Sequence, residues 1–450
     1  MANKKVLNQL WFFYISFLVL WVILIYGDTI VAFTQNKIFC YFRQGDVYTS
    51  DFILYYNNGI LAWDALEKGI NIYDGALQNQ YLEKLTGFEL KKIFYSQYPP
   101  YLFVMMMPMP LVSMPTAWCL WEIMGMVLLL ITIGGLLKFS LEGRFTRIFT
   151  FAAVLASFPA WFSFRLGQIA LLVYPAFIWY WIALLNKRWF TAGILGAFCL
   201  LKLQYAPILF LTGIFLGGIR FFMGYATMGM IYLLSSGFVL GWDNVIGYPQ
   251  ALKYGEISGK VTGVAPESQQ NLRGQIVVLL QKDDSTVHII AAVVWIIASL
   301  VMAYFWFKEA KTRKEEGPLD EKTSKYRFMT LASITTIVLL LSSPHTHKQD
   351  YLFMSLPIIW LMYVAIGQFP IKNAPIKGDF SRKTLLTLRY LMLGFPLYSW
   401  AFFLGSYYLP VVIQPFFAWA AILLIVVVIV IKKSGGLVKL ANTRQESENV

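Results

Sequence analysis

The chain has 450 residues and a formal net charge of +13, yet only 14% of its residues are charged, while 58% are hydrophobic and 17% aromatic. A soluble domain carries about a quarter charged residues, and at a mean hydropathy of +0.60 no soluble core could enclose the apolar surface. The composition therefore excludes a disordered chain, a secreted disulfide scaffold and a cytosolic enzyme, and implies a polytopic membrane protein; Cys40, Cys119 and Cys199 are too few and too scattered for a disulfide framework or a thiolate metal site.

A spanning helix needs about 20 mostly apolar residues. Such stretches lie at 9–31, 115–138, 146–162, 167–185, 189–203, 205–219, 221–241, 287–308, 328–343, 350–368, 386–406 and 410–431, which predicts an all-α bundle of about twelve spans. The first follows Lys4 and Lys5 without a small-residue cleavage site, and so reads as an uncleaved anchor. The stretch 99–114 is apolar but broken by Pro108 and Pro110, which remove helix hydrogen bonds. Charge decides whether it crosses. If it does not, the inner loops collect Lys4, Lys5, Lys138, Arg144, Arg147, Lys187, Arg188, Arg220, the basic runs within 308–327 and 372–389, and Lys432, Lys433, Lys439 and Arg444, which is most of the 37 lysines and arginines. If it does, both runs face outward, against the positive-inside rule. The expected order is an N-terminus and first span (1–31), a first outer loop with interfacial helices and a re-entrant hairpin (32–114), a helix module (115–241), a second long outer loop (242–286), a C-terminal helix module (287–431) and a cytoplasmic tail (432–450), with both termini cytoplasmic. The net charge is then a topology signal with membrane lipids as its partner, and no nucleic acid is implied.

Polar residues concentrate at the outer ends of these segments. In the first loop, Ser50 to Gly69 reads as an amphipathic juxtamembrane helix with Phe52, Tyr56, Ile60, Trp63 and Leu66 on its apolar stripe. Asp51 at its start is either an N-cap acid or a chemical group; Asp46 and Asp64 read as solvated charges. Arg165 to Gln168 sits between two spans. Lys202 and Gln204 interrupt an apolar run, so Lys202 must find an anion or snorkel to the surface. Two of the three histidines, His345 and His347, stand beside Lys348 and Asp350 at another junction; a metal site there would lack further ligands beyond His288. The second long loop carries Asn271 and Arg273. A carboxylate can deprotonate a hydroxyl, cationic donors can hold a phosphate, and aromatics such as Tyr55 and Tyr56 can stack on sugars. No phosphate-binding Gly-rich loop is present and the inner loops are short, so a phosphate-bearing substrate would arrive through the membrane on a lipid.

Taken in order, Ser50-Asp51-Phe52, Gly69 to Asp74, Tyr98-Pro99-Pro100, Leu166-Gly167-Gln168, Leu201-Lys202-x-Gln204, Gln270 to Gly274 and Ser343-Pro344-His345 with Asp350-Tyr351 resemble glycosyltransferase family 87 of the GT-C superfamily. The resemblance implies a GT-C-like helix bundle in a bacterial inner membrane, with its active site on the extracytoplasmic face. It implies an inverting transfer of a sugar, with mannose expected, from a polyprenyl-phosphate donor to a lipid or glycan acceptor. Asp51 maps onto the general base, expected to be ionised at neutral pH. Lys202, His345, Arg165, Arg273 and His347 are the candidates for the donor phosphate, and Tyr55, Tyr56, Gln168, Gln204, Asn271 and Asp350 for the sugar or acceptor. No cofactor or metal is expected. One departure stands out: where family members often show Lys-Pro-Gln, this chain has Lys202-Leu203-Gln204, which leaves the local bend open. The competing readings are a lipid-linked-sugar flippase or transporter, which would be expected to show paired repeats, and a polysaccharide ligase or polymerase.

Overall fold

A computed structural model describes residues 4–34, 42–43, 46–47, 51–87, 89, 95–140, 144–257, 268–315, 321–365, 394–408 and 413–433. The basic run 372–389, the start of the predicted span at 386, the middle of the second long loop and the tail beyond 433 lie outside these residues. Apart from a two-residue antiparallel pairing of Phe42–Arg43 with Asp46–Val47, the regular structure among the described residues is helical.

Where the predicted spans fall on described residues, they are mostly helical. The chain runs through α1 (Lys4–Thr34), α2 (Phe52–Lys68), α3 (Gly75–Thr86), α4 (Pro100–Met106), α5 (Met114–Ser140), α6 (Arg144–Leu155), α7 (Phe158–Arg165), α8 (Ala170–Leu185), α9 (Trp189–Phe198) and α10 (Ala206–Leu240). It continues through α11 (Trp242–Ile257), α12 (Leu272–Leu280), α13 (Ser285–Glu315), α14 (Glu321–Ser342), α15 (Ser355–Ala365), α16 (Phe395–Tyr408) and α17 (Pro415–Lys433). Among the described residues, four segments, Phe12–Val31, Met114–Lys138, Trp189–Leu240 and Ser285–Glu315, are long and apolar enough to cross a membrane. On α13, Ile289, Val293, Ile296, Leu300 and Tyr304 form an exposed stripe at helical spacing. Water would not tolerate that apolar face, whereas lipid would. The chain is an integral membrane protein.

Local chemistry explains where the long segments break. Lys202 leaves helical geometry at φ −126°, ψ 86°, so the bend left open by the sequence forms with Leu203 in place. Its freed neighbour, the Leu200 carbonyl, accepts a hydrogen bond from the Tyr101 hydroxyl at 2.5 Å. Gly218 adopts φ 55°, ψ −139°, a conformation open mainly to glycine, and divides α10 into two helices. Between α6 and α7, Ser157 is extended ahead of Pro159. Ser399 accepts the freed Phe158 N–H at 3.0 Å, and Trp400 donates to the Ala156 carbonyl at 2.9 Å. The proline stretch after Tyr98 folds as α4, a turn of 3-10 helix and an extended Val112. Seven residues rise only about 10 Å, a third of a bilayer's hydrocarbon core.

Two features position the site. The first is the depth at which α2 is buried. Phe52, Tyr55, Tyr56, Asn58, Leu61 and Ala62 are enclosed, whereas Leu66 is 49% exposed. The stripe read from the sequence is therefore rotated, because α2 is covered on more than one side. Gly59 lies so close to α4 that a Cβ there would stand 2.3 Å from the Met106 carbonyl oxygen. The second is that the two long loops meet. Asn244 of α11 accepts from Ile72 N–H at 3.0 Å and donates to the Ile70 carbonyl at 3.0 Å. Behind them, α9 and the second half of α10 touch through glycines. A Cβ on Gly193 would lie 2.2 Å from the Phe221 carbonyl oxygen, and one on Gly224 2.0 Å from that of Phe190. Backbone cannot retreat as a flexible side chain can. Gly193→Ala should lower stability by about 1 to 3 kcal/mol, measured by thermal unfolding of the detergent-purified protein.

Candidate active site

The site begins at the N-terminus of α2. Asp51 occupies the N-cap position, but its own backbone is helical (φ −62°, ψ −16°) and its side chain makes no capping hydrogen bond. Among the described residues no hydrogen bond or ion pair reaches its carboxylate. The capping role that the sequence left open is therefore not what engages this side chain.

The turn after α7 holds α2 in place. The Phe52 N–H donates to the Leu166 carbonyl at 3.2 Å. Gly167 turns with φ +61°, and a Cβ there would lie 2.9 Å from that of Phe52. Its carbonyl accepts from the Trp121 indole at 2.8 Å. Tyr55, one turn along α2 from Asp51, accepts the Ile169 N–H at 3.1 Å, donates towards Gln168 Oε1 at 3.4 Å and shares a 3.0 Å hydrogen bond with the Tyr98 hydroxyl. Leu166-Gly167-Gln168 and Tyr98 thus clamp the first turn of α2.

Opposite stands the 3-10 segment Lys348–Met354. Asp350 is fully buried; its Oδ1 accepts from the Lys202 ammonium and its Oδ2 accepts the His347 N–H at 3.0 Å. Burial pushes the Asp51 carboxyl up to about 7; Lys202 pulls it down and Asp350 pushes it up. These charges act on one another, so Asp51, Lys202 and Asp350 belong to one electrostatic group. The same burial gives Asp51 a proton affinity far from that of a solvated acid. His347 moves the other way. Burial, only partly opposed by Asp350, lowers it to about 4, so at neutral pH it is a neutral hydrogen-bonding group. Burial also raises the Tyr55 and Tyr98 hydroxyls, with Asp51 adding to the effect.

The remaining candidates divide. Gln204 donates to the His345 carbonyl at 3.1 Å, and the His345 ring meets Gln269 Nε2 at 3.2 Å, which ties the bend, the histidine junction and the second long loop together. Asn271 caps α12 through the Gly274 N–H at 2.8 Å and donates to the Ser343 carbonyl at 2.8 Å. Its amide is thereby built into the framework. Arg273 bonds Asp283 at 3.3 Å and His288 at 2.9 Å, and Arg165 pairs with Asp28 of α1 at 3.7 Å. Tyr56 donates to the Val112 carbonyl at 2.9 Å. These contacts engage Arg273, Arg165 and Tyr56 with partners other than Asp51 and Lys202. Two residues outside the sequence-based set belong to the surroundings of the site. Tyr98 was legible only as part of a motif. Glu122 of α5 is buried against Gly167, and both its oxygens lack a hydrogen-bond partner among the described residues. Its signal was a lone carboxylate inside an apolar span. Among the described residues no group of three or more His, Cys, Asp or Glu converges as metal ligands would.

Two outcomes follow from this geometry. Gly167→Ala should cost about 1 to 2 kcal/mol from its left-handed backbone alone, read as a lower melting temperature. Folding raises the affinity of Asp51 for its proton, so the wild-type protein loses stability as pH climbs from the ordinary 3.8 towards 7. Asp51→Asn should therefore melt above the wild type at pH 8, with the difference vanishing only as the pH falls below the ordinary 3.8.

The sequence model of glycosyltransferase family 87 matches residues 95–319. No curated protein and no solved structure matches the chain. The matched half carries Tyr98, the Leu166-Gly167-Gln168 clamp, the Lys202 bend and the Gln270 to Gly274 segment, while Asp51 and Asp350 flank it in sequence and meet it in space. The chain belongs to glycosyltransferase family 87, and is a membrane glycosyltransferase.

Proposed function

We propose that the protein transfers a sugar, with mannose expected, from a polyprenyl-phosphate donor to a hydroxyl of a lipid or glycan acceptor on the extracytoplasmic face of a bacterial inner membrane, with inversion at the anomeric carbon. The observation that carries this reading is the unpaired Asp51 carboxylate electrostatically coupled to the Lys202 ammonium. A group that takes a proton and a group that receives a leaving anion are what such a displacement needs.

In the proposed step, Asp51 takes the proton from the acceptor hydroxyl as its oxygen bonds to the anomeric carbon. The bond from that carbon to the phosphate oxygen breaks, and its electron pair leaves on polyprenyl phosphate. The transition state is oxocarbenium-like, as in glycoside hydrolysis. The leaving group departs as an anion and needs no proton, so one base suffices. Lys202 meets the charge that grows on the phosphate, and His345 and neutral His347 supply hydrogen bonds. Tyr55, Tyr98 and Gln168 offer hydroxyl and amide groups to the sugar. No metal takes part in this scheme.

The test is an assay with purified protein, radiolabelled polyprenyl-phosphate mannose and a native lipid extract. Sugar transfer is expected; a change of membrane side without transfer would instead identify a flippase. Asp51→Asn should lower turnover by about 10²- to 10⁴-fold with donor binding retained, and an Asp51→Asn enzyme of normal turnover would overturn the assignment. Because the base works ionised, the rate should fall as pH drops through about 7, and a rate flat from pH 8 to 5 would contradict it.

A further inference from the structure

Two carboxylates compete for one ammonium in this site. Asp51 and Asp350 both interact with Lys202, yet the ion pair forms with Asp350. The reason lies in how each acid is held. Asp350 is fixed on both sides: its second oxygen accepts the His347 N–H, the next residue's hydroxyl, on Tyr351, donates to the Gln270 carbonyl at 2.7 Å, and the preceding carbonyl, of Gln349, accepts from Ser163 at 3.3 Å. The backbone after Asp51 is clamped, but among the described residues no hydrogen bond holds its carboxylate. Lys202, by contrast, stands on a broken turn at the end of a four-carbon stem.

Resting on the reading of Asp51 as the base, we infer that Asp350 is a positioning residue: it holds the Lys202 ammonium and thereby keeps the Asp51 carboxylate free of a cationic partner. An Asp51 paired with Lys202 would be a weak base, because the ammonium would stabilise the carboxylate it must give up on taking a proton. It would also draw the cation away from the place where the leaving phosphate needs it. Asp350 thus keeps the two functions on separate atoms. This changes its role from the sugar contact suggested by sequence, since its carboxylate is fully buried and both oxygens are engaged. The titratable groups that act on Asp51 or are acted on by it are Lys202 from the bend, Asp350 from the 3-10 segment, Tyr55 from its own helix and Tyr98 ahead of α4.

The experiment needs no substrate. Infrared titration of the detergent-purified protein follows the C=O stretch of protonated carboxyls, and the band lost in Asp51→Asn identifies Asp51. In Asp350→Asn, Lys202 should swing to Asp51, and that band should titrate at least about one pH unit lower than in the wild type. Adding Lys202→Gln to Asp350→Asn should move it back up. Asp350→Glu keeps the charge and should titrate as the wild type does, which guards against a variant that merely perturbs folding. The inference is overturned if Asp350→Asn leaves the band where it was, if Lys202→Gln does not reverse the shift, or if the Asn and Glu variants titrate alike. Sugar-transfer assays on Asp51→Asn judge the base reading separately. An unmoved titration in a protein whose Asp51→Asn form is inactive ends only the role of Asp350.

Discussion

A cation inside a membrane protein has few places to rest, and the geometry around Lys202 follows from that scarcity. Away from water an ammonium is strongly attracted to any carboxylate, and an unpaired one costs several kcal/mol. The ion pair with Asp350 meets this need, joining two residues 148 positions apart. A buried pair is poor evidence of stability, because desolvation offsets much of its attraction. Its effect here is on location. It fixes where the positive charge sits relative to Asp51, and on the proposed mechanism that separation is what allows one group to accept a proton while another receives an anion.

Rigidity around the pair comes from amides rather than from further charges. Gln269, Gln270 and Asn271 are fully or almost fully buried. Gln270 N–H donates to the Thr346 carbonyl at 2.7 Å, its side chain donates to Gln414 at 2.5 Å and accepts the Phe416 N–H at 3.2 Å, and its carbonyl accepts from Tyr351. In a low-dielectric interior such a network is strong when its members are paired. It joins the second long loop, the histidine junction and α17 into one frame. Against that frame the exceptions stand out. Asp51 and Glu122 are acids with no hydrogen-bond partner among the described residues, and local rules of this kind tend to be broken where function requires it.

Much of this architecture was legible from residue order. Apolar length marked the helices, and polar interruptions marked the breaks near Lys202 and Gly218. Gly69 ends α2 at φ +65°, and Asp74 caps α3 through the Ala76 and Leu77 N–H groups, as helix signals would have it. The motif at 166–168 was visible too, but not its task of clamping the first turn of α2. The face that α2 buries was misread, because periodicity reports one apolar stripe, whereas a helix enclosed on several sides buries polar groups such as Asn57 and Asn58 as well.

The sequence alone determined that the chain is a helical membrane protein, and which few polar residues interrupt its apolar stretches. These are local properties, set by hydropathy, backbone freedom and capping within a few residues. Only the tertiary structure decided which charge meets which. Arg273 goes to Asp283, Arg165 to Asp28 and Lys202 to Asp350, while Asp51 stays apart. Coulomb attraction depends on distance and surrounding dielectric, and neither quantity exists until segments far apart in sequence have packed together.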